Sequence, residues 1–549
     1  MRIKQIVLTS LVVLLLPVVS SPAATNEPLS PFESSIALTP QSQLDELVFA
    51  RQKQLQLQPA RLCSDAVFLR RAYLDVIGTL PTAREAAQFL ANRDPRKRQD
   101  LIDRLLARPE FADYWAMKWS DLLRIKAEFP INLWPNAAQA YHRWVRTCLL
   151  QNLPYDQFVR QMLTASGSNF EVPQVNFYRA MQNRQPQGIA QTVALTFMGA
   201  RAEKWPPERL TQMAAFFTQV GYKSTAEWKE EIVLFDPTKT NSSAAAARPD
   251  DTTSQAQIKP NQAKSSPGSF IFPDGTTSQL SPDLDPRQAF ADWLITPQNP
   301  WFTRNIANRV WSWFLGRGII QEPDDIRPDN PPSNPELLAY LEKELVSSHY
   351  NLKHLYRLIL TSKTYQLSSI PAPDFPAEDT SFSHYPLRRL EAEVLVDALN
   401  QITGTSEKYS SAIPEPFTFV PEDVRSIALP DGSISSSFLE LLGRPPRDTG
   451  LEAERNNRPS AAQELHLLNS SHIQTKLEQG RNLQNLIQSQ VTPREKVNAL
   501  YLMILSRYPT DQEFKTLGAY AQSGEGKGRE VLLDLAWALI NSAEFLYRH

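Results

Sequence analysis

The chain has 549 residues, 42% hydrophobic and 21% charged, the composition of a globular protein with room for two or three domains. A formal net charge of -2 removes the global basic field that would argue for nucleic acid or an anionic membrane surface. The only cysteines, Cys63 and Cys148, are too few for a cysteine-rich zinc or iron–sulfur site, and as a pair they fit either one disulfide or two buried thiols.

Residues 1–24 read as a targeting segment rather than as fold. Arg2 and Lys4 precede an apolar run from Ile6 to Val19, and Ser21-Pro-Ala supplies small residues for cleavage near Ala23 or Ala24. The run is shorter than the ~20 residues of a bilayer span, so a cleaved signal is expected over an uncleaved anchor. The expectation is export to a periplasm or cell envelope, with no transmembrane anchor after cleavage.

Helical periodicity begins near Ser42, with Leu44, Leu47, Val48 and Leu55 on one face. A second helix carries Phe68, Leu69, Ala72 and Val76 and stops at Ile77-Gly78-Thr79-Leu80-Pro81, where Gly78 suits a left-handed turn. Thr82 caps a helix through Leu90. Phe111 to Lys126 has an aromatic face, Tyr114, Trp115 and Trp119, which reads as core. Further helices over 137–150, 155–164, 191–199 and 208–217 complete a first domain spanning 40–235. Glu230-Glu-Ile-Val reads as a solvated helix face.

Residues 236–284 form a low-complexity linker, too poor in large apolar groups between 241 and 267 to offset its ordering entropy. A short strand and turn is expected near Ser269–Thr277, because Asp274-Gly275 is a hairpin signal. The second domain, 285–549, has helices starting at Pro286 and Pro335, the latter capped by Asn334, then at 352–362, 387–403, 460–479, 493–505 and 529–549. Thr510 and Glu513 form a capping box. The fold class is mainly α, two multi-helical domains joined by a disordered linker.

The densest chemistry lies in Trp301–Pro332. Asn305, Asn308 and Arg309 share a helix face, and an arginine can clamp an anion bidentately with Asp324 or Asp325 beside it. The alternative is a buried network locking that helix to the loop after Gly316. A second constellation is Glu452, Glu454, Arg455, His466 and Asn469. Here a carboxylate can orient His466 as a general base, or His466 is a satisfied core histidine. The candidate catalytic residues are therefore Arg309, Asp325, Glu454, Arg455 and His466, with Asn305, Asn308 and Asn469 as candidate binding residues. The histidines lack HExxH-type spacing, and neither GxSxG nor a phosphate-binding glycine motif occurs, so no metal and no cofactor is expected.

Several segments carry a resemblance. Asp285-Pro-Arg-Gln-Ala-Phe-Ala-Asp-Trp-Leu, Asn308-Arg-Val-Trp, Phe314-Leu-Gly-Arg-Gly-Ile, Asp324-Asp-Ile-Arg and Leu465-His-Leu-Leu-Asn resemble the carboxy-terminal domain of the planctomycete-type cytochrome c-associated proteins. Phe68-Leu-Arg-Arg-Ala-Tyr-Leu-Asp, Tyr155-Asp-Gln-Phe-Val-Arg and Asn176-Phe-Tyr-Arg resemble the companion domain of that family. Two departures stand out. The resemblance implies a Cys-x-x-Cys-His-like segment after Phe197-Met-Gly, where Gly199-Ala-Arg-Ala-Glu-Lys-Trp runs straight on, and a Cys-x-Cys pair where Leu451 and Ala453 stand. Leucine and alanine can neither attach a haem nor ligate a metal. A cofactor-less relative follows if the two clusters served one site. If they had separate structural roles, it does not.

Three functions follow from that resemblance and from the residues. The first is a non-haem partner or assembly protein for other exported proteins of the same system. The second is an enzyme or redox component acting on extracellular polysaccharide-derived substrates, through Arg309 and Asp325 or Glu454 and His466. The third is an anion- or carbohydrate-binding protein.

Overall fold

Side chains set the helix boundaries. Ser42, Ser64 and Thr82 accept the backbone N–H groups of Asp45, Val67 and Glu85, opening helices Gln43–Gln54, Asp65–Val76 and Ala83–Ala91. At Thr82 and Thr510 the third helical residue, Glu85 or Glu513, returns its carboxylate to the cap, completing a capping box at each, the one at Thr510 as expected. Asn334 caps Pro335–Ser347, also as expected. Gly78 lies at φ +59, and a Cβ there would fall on the Tyr114 ring.

The structure is a computed structural model that describes residues 30–128, 133–239, 268–372, 380–413, 418–420, 422–524 and 528–549. The expected signal segment, and residues 240–267 of the expected linker, lie outside the described residues.

The architecture is mainly helical, in two regions either side of residues 240–267, and one hydrophobic core runs through both. Helix Pro109–Leu122 places Trp115 and Trp119 with ring centroids 5.1 and 5.9 Å from that of Trp313, on helix Phe302–Leu315. The aromatic face is core, and it is the seam between the regions. Helix Leu352–Thr361 packs on Lys97–Ala107, and Pro493–Leu505 packs on Ala83–Ala91.

Buried charge crosses the same seam. Asp75 accepts the hydroxyls of Tyr365 and Tyr385 at 2.9 and 2.8 Å and pairs with Arg388 and Arg548, each at 3.2 Å. Glu391 holds Arg548 on one side and Lys118, at 2.5 Å, on the other. Desolvating these ions is tolerable because each is paired and hydrogen-bonded; removing one would strand its partners.

Strand content is small. The hairpin Ser269–Ile271 with Thr277–Gln279 forms where Asp274-Gly275 places it, and Phe270 and Phe272 pack against Phe216. A three-stranded antiparallel sheet of Gly167–Ser168, Glu231–Phe235 and Val220–Ser224 corrects the reading of Glu230–Val233 as a helix face. The run Ile232-Val-Leu-Phe favours a pleated surface, with Val233 buried. The Glu231 carboxylate is held by Arg179 and Arg184 rather than solvated. Cys63 and Cys148 are both buried and free. Among the described residues no helix is long and apolar enough to cross a membrane.

Candidate functional site between the two regions

Helix Pro186–Val193 runs into a π-helical turn, Ala194–Met198, and ends at Gly199 with φ +60. Such a turn redirects backbone carbonyls and often marks a functional region. Here the carbonyls of Thr196 and Leu195 accept from Asn305 Nδ2 at 3.1 Å and Arg309 Nη2 at 3.4 Å. A Cβ on Gly199 would lie 2.6 Å from Asn305 Oδ1, so glycine is required by both conformation and space. The Gly199 carbonyl accepts the Ile326 N–H at 2.8 Å, laying the chain after Gly199 beside the loop after Gly316.

Asp324, on that loop, is fully buried. Its Oδ1 accepts from Arg201 Nη2 at 2.8 Å and its Oδ2 from the Glu452 backbone N–H at 3.2 Å. The Glu452 carboxylate accepts from Trp313 Nε1 at 2.7 Å and pairs with Arg309 at 3.3 Å. The two stretches that depart from the resemblance, 199–205 and 451–453, therefore meet on one carboxylate.

Outside this node opens a groove of about 600 Å³, walled by Trp205, Arg209, Trp301, Arg304, Asp325 and Arg327 and by the prolines that end the loop. The Arg209 guanidinium lies 4.3 Å from the ring centre of Trp205 and 5.3 Å from that of Trp301. Its Nε is buried with no hydrogen-bond partner, and among the described residues it makes no ion pair. Burial lowers its pKa, with the Asp274 charge opposing. The other cations are held: Arg304 by Glu342 at 2.9 Å, and Arg327 by Asp325 at 3.2 Å and Asp329 at 2.9 Å. Exposed Lys204 reaches Asp325 only at 3.9 Å.

Residues 43–219 match the PSCyt2 family model and residues 286–521 match PSD1, each described as a protein of unknown function (DUF1549 and DUF1553). The chain belongs to the planctomycete cytochrome c-associated family. No curated protein and no solved structure matches it. In this family member the groove draws Arg201 to Arg209 from the PSCyt2 region and Trp301 to Pro332 from the PSD1 region.

The candidate residues read from this PSCyt2–PSD1 sequence are dispersed. Arg309 and Asn305 are buried in the node, and Asn308 is buried beside it. Asn308 Nδ2 donates to the Ile320 carbonyl at 2.9 Å while its Oδ1 accepts the Ile320 N–H at 2.8 Å. This is the locking network, with Glu452 rather than Asp324 or Asp325 as the partner of Arg309. Asp325 alone of the candidates faces the groove. Glu454 accepts the N–H groups of Asp448, Thr449 and Gly450 and folds its own loop. Arg455 is half-buried between Asp121 and Glu393, each at 2.7 Å.

His466 stacks on Phe438, ring centres 4.9 Å apart, and its Nε2 lies 3.5 Å from His472 Nδ1. His472 in turn bonds Glu407 at 3.2 Å. The carboxylate in this histidine pair's network is thus Glu407, not Glu452 or Glu454. Burial, and the neighbouring His472, lower the His466 pKa. Asn469 is exposed in the last turn of helix Ala461–Asn469. Among the described residues no group of three or more histidine, cysteine or acidic side chains is arranged to hold a metal ion. Sequence reasoning did not single out Arg201 or Arg209; the one signal was their position just beyond the departure at Gly199.

Proposed function

We propose that this family member is an exported, non-catalytic binding protein and that its groove takes an anionic carbohydrate. The observation that carries the reading is Arg209, a guanidinium over two indole faces with no carboxylate partner among the described residues. The planar guanidinium offers paired donors to a carboxylate or sulfate, and the indole surface left uncovered beside it offers apolar contact to a sugar ring. Glu454 and Arg455 are committed to loop and core partners, which supports binding over catalysis. Export is supported by the basic start, apolar run and small-residue site within residues 1–24.

Calorimetric titration with uronate and sulfated oligosaccharides, against neutral sugars of the same length, tests the reading. The charged sugars bind, and Arg209→Gln and Trp301→Ala each weaken them roughly tenfold or more, about 1.4 kcal/mol. Equal affinity for neutral and charged sugars, or no binding, overturns it.

Assembly with other exported proteins is a second reading. It is favoured by Leu465, Leu468 and Trp537, exposed large apolar side chains of which Trp537 donates to the Leu468 carbonyl at 3.3 Å. Its test is the sedimentation of the purified protein alone and with co-exported proteins, in wild type and Trp537→Ser. Complexes that are unchanged in the variant count against that surface.

A further inference from the structure

Away from the groove, a second concavity lies among the last helices. Pro493–Leu505, Asp511–Ser523 and Arg529–Ile540 wall an apolar furrow of about 540 Å³, within the roughly 300–1,000 Å³ of small-ligand sites. Helix Asp511–Ser523 turns Phe514, Leu517, Gly518 and Ala521 toward it, positions that share one helical face. None of this helix's residues is fully buried, so the rest of the chain covers its apolar face only in part.

Gly518 lies inside that helix, where glycine is a poor helix former. A Cβ built on it would meet nothing within 4 Å, so no neighbour demands glycine. The effect of the missing side chain is to deepen the furrow.

The mouth is cationic. Arg494, Lys496 and Arg529 all line the furrow. Arg494 lies 4.5 Å from the Phe514 ring centre, Lys496 donates to the Ile487 carbonyl at 2.6 Å, and Arg529 donates to the Glu478 carbonyl at 3.1 Å. Among the described residues none of the three has a carboxylate partner.

We propose that this furrow binds a free long-chain fatty acid, the acyl chain along Val497, Leu517 and Leu532 and the carboxylate among the three cations. Charge complementarity requires an anionic head, and the apolar walls require a hydrocarbon tail. A concavity walled by helices, of this volume, suits a single acyl chain.

The test uses the full-length protein and the fluorescence of a dansyl-labelled undecanoic acid. Palmitate displaces the probe, and methyl palmitate, lacking the charge, is weaker by about tenfold or more. Gly518→Leu fills the open space with a better helix former, so it keeps the fold by circular dichroism and loses probe binding. Arg494→Glu with Arg529→Glu weakens palmitate but not its methyl ester. Undiminished binding in folded Gly518→Leu, equal binding of acid and ester, or displacement only by phosphatidylglycerol vesicles or by an acidic amphipathic peptide would each overturn the proposal. None of these outcomes depends on saccharide binding at Arg209.

Discussion

The backbone N–H of Glu452 donates to the carboxylate of Asp324 across 128 residues of sequence. Arg201 takes the other oxygen of that carboxylate. Asp324→Asn keeps the shape but removes the charge, leaving Arg201 with the more exposed Glu322, at 2.7 Å, as its remaining ion-pair partner. A loss of roughly 1–3 kcal/mol is expected in urea unfolding. Hydrogen exchange should rise together at 199–205 and 451–455. A rise confined to one of them would show that the contact does not couple the two stretches.

Asn308 satisfies both backbone groups of buried Ile320. Asn308→Ala leaves a donor and an acceptor unmet, at about 1–3 kcal/mol each. The expected destabilisation is therefore roughly 2–6 kcal/mol, with faster proteolysis in the loop after Gly316. Unchanged stability would mean that water replaces the amide there.

Glu393 is buried, 2.7 Å from Arg455 and 3.6 Å from Arg444. Burial alone would raise its pKa, but the two guanidiniums, Arg455 foremost, overcome this and leave it lowered from 4.5 to about 2. A depressed folded-state pKa gives stability that is complete above the unfolded value and is lost as pH falls through the folded one. Urea stability should therefore decline between about pH 4.5 and pH 2. Glu393→Gln should reduce that acid slope and lower stability at neutral pH by roughly 3–5 kcal/mol. An unaltered acid slope in the variant would assign acid sensitivity to other carboxylates.

Cys63 and Cys148 are free and buried, and burial pushes the Cys148 thiol up to about 12. A thiol-specific reagent near neutral pH should find no reactive group in the folded protein. Two per chain should react after unfolding without reductant. No reaction after unfolding would mean the cysteines are bridged.

Helix starts were legible because a cap is a local event: Thr82 with Glu85, and Thr510 with Glu513, lie three residues apart. Asp274-Gly275 foretold its hairpin for the same reason. The sheet strand Glu231–Phe235 escaped because its partners and the arginines that neutralise Glu231 come from elsewhere in the chain. Arg209 was illegible as a site residue. Its meaning comes from Trp301, which spacing along the sequence cannot connect to it. Asn305, Asn308 and Arg309 lie on one helix, but which carboxylate meets Arg309 depended on a loop more than a hundred residues away.

The seam at Trp115, Trp119 and Trp313 bears on inheritance. Each region, expressed alone, would expose those indoles and strand Asp75 without Arg388 and Arg548. Gene fission, or exchange of one half for that of a distant relative, would have to rebuild both the aromatic contact and the ionic one at once. Selection should therefore keep the two halves in a single reading frame and let them change in concert, whatever ligand the molecule carries.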